Sequence, residues 1–91
     1  MNIRWTEEAA TNLEHISLYI AEDNLEAARK TVNTIYDRVE QLRVFPNRGR
    51  KGREAGTREL VLSPLPYIVA YRLAESTIEI IYVWHGARER L

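Results

Sequence analysis

Among the side chains in this sequence that could do chemistry the basic ones are the most informative, and eight of the thirteen lie in its second half. Arg48, Arg50, Lys51 and Arg53 crowd a glycine-containing stretch, Arg58 follows, Arg72 comes later, and Arg88 and Arg90 lie near the end. Guanidinium groups bind phosphate through paired hydrogen bonds. On spacing alone the set reads two ways. It is either a convergent cationic surface for a nucleic-acid backbone or an acidic partner, or a solvated loop with ordinary surface arginines. His85 ends an apolar run, where a side chain can project into a cleft; a hydrogen-bonded structural histidine is the plainer reading. His15, off the apolar stripe of its segment, reads as solvated. The two histidines lack the HExxH spacing and the chain has no cysteine, so no metal site, cofactor site or thiolate chemistry is expected.

The other candidates are weaker. Glu59 and Glu79 alternate with apolar neighbours and should point to an open sheet face, and no two carboxylates form an acid–base couple. Gly49, Gly52 and Gly56 precede a strand rather than a helix, so the phosphate-cradling logic of a helix N-terminus does not apply. Trp5, Trp84, Tyr67, Tyr71 and Tyr82 could stack bases, but beside Ile and Val they read as core or half-buried sheet residues.

These residues must be positioned by a small body. The 91 residues make one domain, 1–91, with 45% hydrophobic content. No apolar run approaches a membrane span and no export leader is evident, so a cytoplasmic protein is expected. Net charge is zero, yet residues 1–45 hold five basic and eight acidic side chains, and residues 46–91 hold eight basic and five acidic. That polarity points weakly to a polyanionic or acidic partner for the second half.

The elements follow from periodicity. Residues 2–5 suit a short strand. Thr6 is an N-cap candidate, with Glu7 and Glu8 in the first turn, and Ala9, Leu13, Ile16 and Ile20 line one face of a helix running to about Glu22. Asn24 caps a second helix whose stripe is Ala28, Val32, Ile35, Val39 and Leu42, stopped by Phe45-Pro46. A polar loop over 46–57 leads into strands at 58–62, 67–73 and 77–84. The order β-α-α-β-β-β predicts an α+β two-layer domain, an antiparallel β-sheet covered on one face by a helical hairpin. The last three strands form a meander, and the first strand is an edge or a neighbour of the last ones.

Order and residues together resemble the RelE/ParE superfamily of toxins from type II toxin–antitoxin modules. The resemblance rests on Ile3-x-Trp5, then Ala10, Leu13, Ile16 and Tyr19-Ile20, then Ala27-Ala28 and Pro46-x-x-Gly49-Arg50. It continues through Arg58-Glu59-Leu60-Val61, Tyr67-Ile68-Val69-x-Tyr71-Arg72 and Val83-x-His85-Gly86-Ala87-Arg88. It implies growth inhibition, plasmid stabilization, a cognate antitoxin that neutralises the toxin, and operator DNA contacted only through that antitoxin. RelE-type members cut mRNA on the ribosome without a metal; ParE-type members poison DNA gyrase. The RelE pattern has Arg after the first Tyr of the middle meander strand, where this chain has Ile68. It also has lysines on the preceding strand, where only Arg58 is basic, and a C-terminal Tyr, whereas no tyrosine follows Arg88. The resemblance therefore implies the ParE-like branch, with His85, Arg88 and Arg90 as a target-binding surface. The alternative is a RelE-like endoribonuclease in which Arg58, His85 and Arg88 bind phosphate and move protons.

Overall fold

A computed structural model describes residues 1–87. Its elements are β1 (Asn2–Trp5), α1 (Glu7–Ala21), α2 (Leu25–Glu40), a short 3-10 turn at Gln41–Arg43, β2 (Arg50–Lys51), β3 (Thr57–Val61), β4 (Tyr67–Ala74) and β5 (Thr77–His85). Both helix starts are capped as their residue types require. The Thr6 hydroxyl accepts the Ala9 N–H at 3.2 Å and Asn24 Oδ1 accepts the Ala27 N–H at 2.9 Å.

The helical hairpin covers one face of a five-stranded sheet of order β1-β5-β4-β3-β2. The meander β3-β4-β5 is antiparallel, and β1 is an edge strand beside β5, as the sequence suggests. The pairing of β1 with β5 is parallel, however, so the sheet is mixed rather than wholly antiparallel. The short connection explains this. Only Thr6 separates β1 from α1, and its N–H and hydroxyl both reach the Ile80 carbonyl, at 3.0 and 2.8 Å. β1 therefore spans the first half of β5, and α1 continues over the second half, where Asn12 Oδ1 accepts the Val83 N–H.

The loop expected over 46–57 contains a two-residue edge strand, β2, paired with Arg58 and Glu59. Two charged residues have no apolar alternation to announce a strand. The core lies between the layers. Ala9, Leu13, Ile35, Val39 and Leu42 from the helical side meet Leu60, Leu62, Tyr67, Val69, Tyr71, Ile78, Ile80 and Val83 from the sheet. Removing this apolar surface from water is the main stabilising term available to a chain without disulfides. Tyr67 and Tyr71 thus belong to the core, and Trp5 packs on its margin, edge-on to Tyr36 with ring centroids 5.1 Å apart.

Candidate functional site

The hairpin does not bury all of its apolar surface. Ala10, Leu13, Ser17 and Leu18 of α1 and Val32 and Tyr36 of α2 line an open groove of about 300 Å³, in which Glu14 is the sole charged lining residue. Leu18, Tyr19 and Leu25 stand 59%, 67% and 59% exposed around the hairpin's turn. Exposed aliphatic and aromatic side chains grouped this way are what a partner's amphipathic segment buries. The Trp5–Tyr36 contact braces one wall of the groove from the sheet side.

The arginines have definite partners. Arg50 donates through Nε and Nη2 to Glu59 Oε1 at 3.1 and 2.9 Å, across the β2–β3 pair. Glu59 lies on the face away from the helices, as expected, but is nearly buried there beneath that ion pair. Arg48 donates to Gln41 Oε1 at 2.9 Å and lies over the Phe45 ring. Arg58 Nη1 donates to the Gly49 and Asn47 carbonyls at 2.8 and 3.3 Å. Lys51 is exposed on the edge strand, and Arg53 lies in the turn that follows. Arg4 and Arg72 converge on Glu79, on the sheet's open face. The hydrogen bond from Arg4 is the largest of the influences that hold the Glu79 carboxyl below its ordinary range.

A buried tyrosine organises the basic loop. Tyr71 Oη donates to the Pro46 carbonyl at 2.7 Å and accepts the Gly49 N–H at 2.9 Å. Burial raises the hydroxyl's pKa above its ordinary value, partly opposed by the Gly49 N–H and the nearby Arg58 charge. A Cβ on Gly49 would lie 2.7 Å from Tyr71 Cε1, so the close approach requires glycine.

His85 stacks edge-on against Tyr67, 5.6 Å between ring centroids, and its Nδ1 accepts the Ala87 N–H at 3.1 Å. Its other ring nitrogen is therefore the one that carries a proton in the neutral form. Arg58 and His85 are not neighbours. Arg58 is level with Tyr71 and His85 with Tyr67, on opposite sides of β4. Four residues of strand separate those levels, roughly 13 Å at about 3.3 Å per residue. Arg88 and Arg90 lie outside the described residues. Among the described residues no group of three or more His, Asp or Glu is placed to hold a metal ion.

Two further residues hold the framework without a strong sequence signal. Arg38 of α2 donates to the carbonyls of Val61, Leu62 and Ser63, at 3.3, 3.4 and 3.2 Å, fixing the end of β3. Asn12 lies three residues after Ala9 and four before Ile16, so it is a polar residue on the apolar stripe. That is the one local hint of its bond to β5.

With this geometry in place, comparison with known proteins is informative. The model of a family described as "ParE toxin of type II toxin-antitoxin system, parDE" matches residues 3–90. Toxin Y4kP of Sinorhizobium fredii is 41% identical over 87 residues, covering 96% of this chain and 90% of that protein. Toxin RelE2 of Caulobacter vibrioides is 33% identical over 84 residues, covering 92% and 93%. A solved chain from the "Chromosomal ParDE TA system from P. aeruginosa" superposes with a TM-score of 0.84 at 30% identity, covering 93% of this chain and 95% of that one.

Proposed function

Because the chain belongs to the ParE toxin family, and so is the toxin of a type II toxin–antitoxin system with a cognate antitoxin, we propose that it acts in the cytoplasm by disabling DNA gyrase through a protein–protein surface. The observation that carries this reading is the position of Arg58. Its Nη1 is held by two loop carbonyls, and it stands four strand residues from the level of His85. A nuclease needs positioned cations and an acid–base group within reach of one phosphate, and losing one such stabiliser costs roughly 10²–10³ in rate. A protein-binding surface makes no such demand. His85, Arg88 and Arg90 form the target-contacting end in this reading, and the basic loop of Arg48, Arg50, Lys51 and Arg53 contributes positive charge. The antitoxin occupies the hairpin groove, so that neutralisation buries Leu18 and Tyr36.

Purified toxin should inhibit gyrase supercoiling, and added antitoxin should relieve the inhibition. Full supercoiling at a large molar excess of toxin overturns the proposal. The second reading, a RelE-like mRNA endonuclease using Arg58, His85 and Arg88, is favoured by the likeness to toxin RelE2. It requires cleaved mRNA in primer-extension assays on arrested cells, and intact message eliminates it.

A further inference from the structure

The segment after α2 places an exposed apolar pair on a fixed backbone. Val44 and Phe45 are 72% and 52% exposed. With Pro46, Asn47 and Arg48 they line a shallow pocket of about 370 Å³, which shares no lining residue with the hairpin groove. The Arg48 guanidinium carbon lies 4.5 Å from the Phe45 ring centroid, a cation–π distance. The backbone beneath is tied to the core. Tyr71 and Arg58 together engage the carbonyls of Pro46, Asn47 and Gly49 and the N–H of Gly49, and the Phe45 carbonyl accepts the Arg48 N–H at 3.1 Å. The entropy of ordering this loop is lost on folding, so a partner docking there need not supply it.

Charge narrows the kind of partner. Residues 41–53 contain five basic side chains and no acidic one. Two of the five, Arg43 and Arg50, already face the carboxylates of Glu40 and Glu59. A nucleic-acid strand favours many free cations and open aromatic faces for base stacking. Here part of the charge is compensated, and Arg48 covers a face of the Phe45 ring. An acidic polypeptide fits better. One apolar side chain can pack on Val44 and Phe45 while flanking carboxylates reach Arg48 and the exposed Lys51. Aromatic and arginine anchors on a rigid base are the composition of interface hot spots.

We propose that Val44, Phe45, Arg48 and Lys51 form a second docking site, separate from the hairpin groove, for an acidic protein segment with an apolar anchor residue. The site does not depend on which cellular target the toxin has.

The test is a nuclear magnetic resonance titration of the isotope-labelled full chain with three probes. One is a short peptide with Leu and Trp between Asp and Glu residues. The second is the same peptide with Asn and Gln replacing the acids, and the third is a single-stranded RNA of similar length. The acidic peptide should shift the backbone amides around Val44, Phe45, Arg48 and Gly49. Its affinity should exceed that of the neutral peptide by roughly tenfold, and Phe45→Ser or Arg48→Gln should each weaken it by roughly tenfold. Both side chains are exposed, so spectra of the variants report whether the fold is intact. Three results overturn the proposal: no shift, equal binding of the neutral peptide, or shifts of these amides by RNA alone. The experiment reads neither growth arrest nor gyrase activity, so its failure leaves the toxin mechanism standing.

Discussion

Asn12 Oδ1 accepts the Val83 N–H at 3.0 Å, joining the middle of α1 to the half of β5 that β1 does not reach. A helix side chain here takes the place of a strand partner. The register of β4 and β5 shifts between Ala70 and Tyr71, and Val83 follows on the β5 side of that irregularity. Val83 itself keeps its regular pairing with Val69, so the Asn12 bond supports β5 just past that irregularity, along the stretch that β1 does not pair.

Asn12→Ala leaves a partly buried backbone donor unsatisfied, which costs about 1–3 kcal/mol. Urea denaturation should show a lower midpoint with an unchanged slope, whereas His15→Ala, three residues on at an exposed position, should stay within about 0.5 kcal/mol of the parent. An unchanged midpoint for Asn12→Ala would remove the bond from the account of stability.

Tyr71 supports the basic loop from inside the core. Tyr71→Phe deletes both hydroxyl contacts and should cost about 1–3 kcal/mol, with the largest amide exchange increase at Gly49. Gly49→Ala should be at least as harmful, because its Cβ meets Tyr71 Cε1 at 2.7 Å and the Glu59 carbonyl at 3.0 Å. If Gly49→Ala unfolds at the parent's denaturant midpoint, the loop is not held as described.

Glu79 provides a pH signature. Its carboxyl titrates lower in the folded protein than in the unfolded chain, chiefly because of the hydrogen bond from Arg4 and secondarily that from Arg72. Its contribution to stability is thus fully present above the ordinary glutamate range and disappears as pH falls through the lowered folded value. Nuclear magnetic resonance titration of the side-chain carboxyl should give a midpoint below that of a model glutamate. Arg4→Ala should move the midpoint upward more than Arg72→Ala does, and the reverse order would contradict the assignment.

The hairpin groove predicts a separation of binding from stability. Leu18 is 59% exposed and lines the groove, so Leu18→Glu should change stability by no more than about 0.5 kcal/mol. The same change places a charge in the groove proposed to receive the antitoxin, and should weaken antitoxin binding by on the order of tenfold or more in calorimetry. Undiminished affinity would place the antitoxin elsewhere.

By itself the sequence determined much of what depends on neighbours a few residues apart. Thr6 and Asn24 cap because their side chains reach their own first turns. The stripe of α2 declares its buried face through its period, and the alternating β-branched runs declare the meander. Their order was enough to mark the family. The tertiary structure alone decided the direction of β1, the pairing of β2 and the fate of the arginines. Arg50, Arg58 and Arg38 look alike in sequence, yet one meets a carboxylate across a strand pair and the others bind the carbonyls of distant segments. A charge is long-ranged and carries no period, so its partner is set by which segments the packed core brings together. For the same reason Arg58 and His85, plausible companions in sequence, lie at separate levels of the sheet once the register of β4 is fixed.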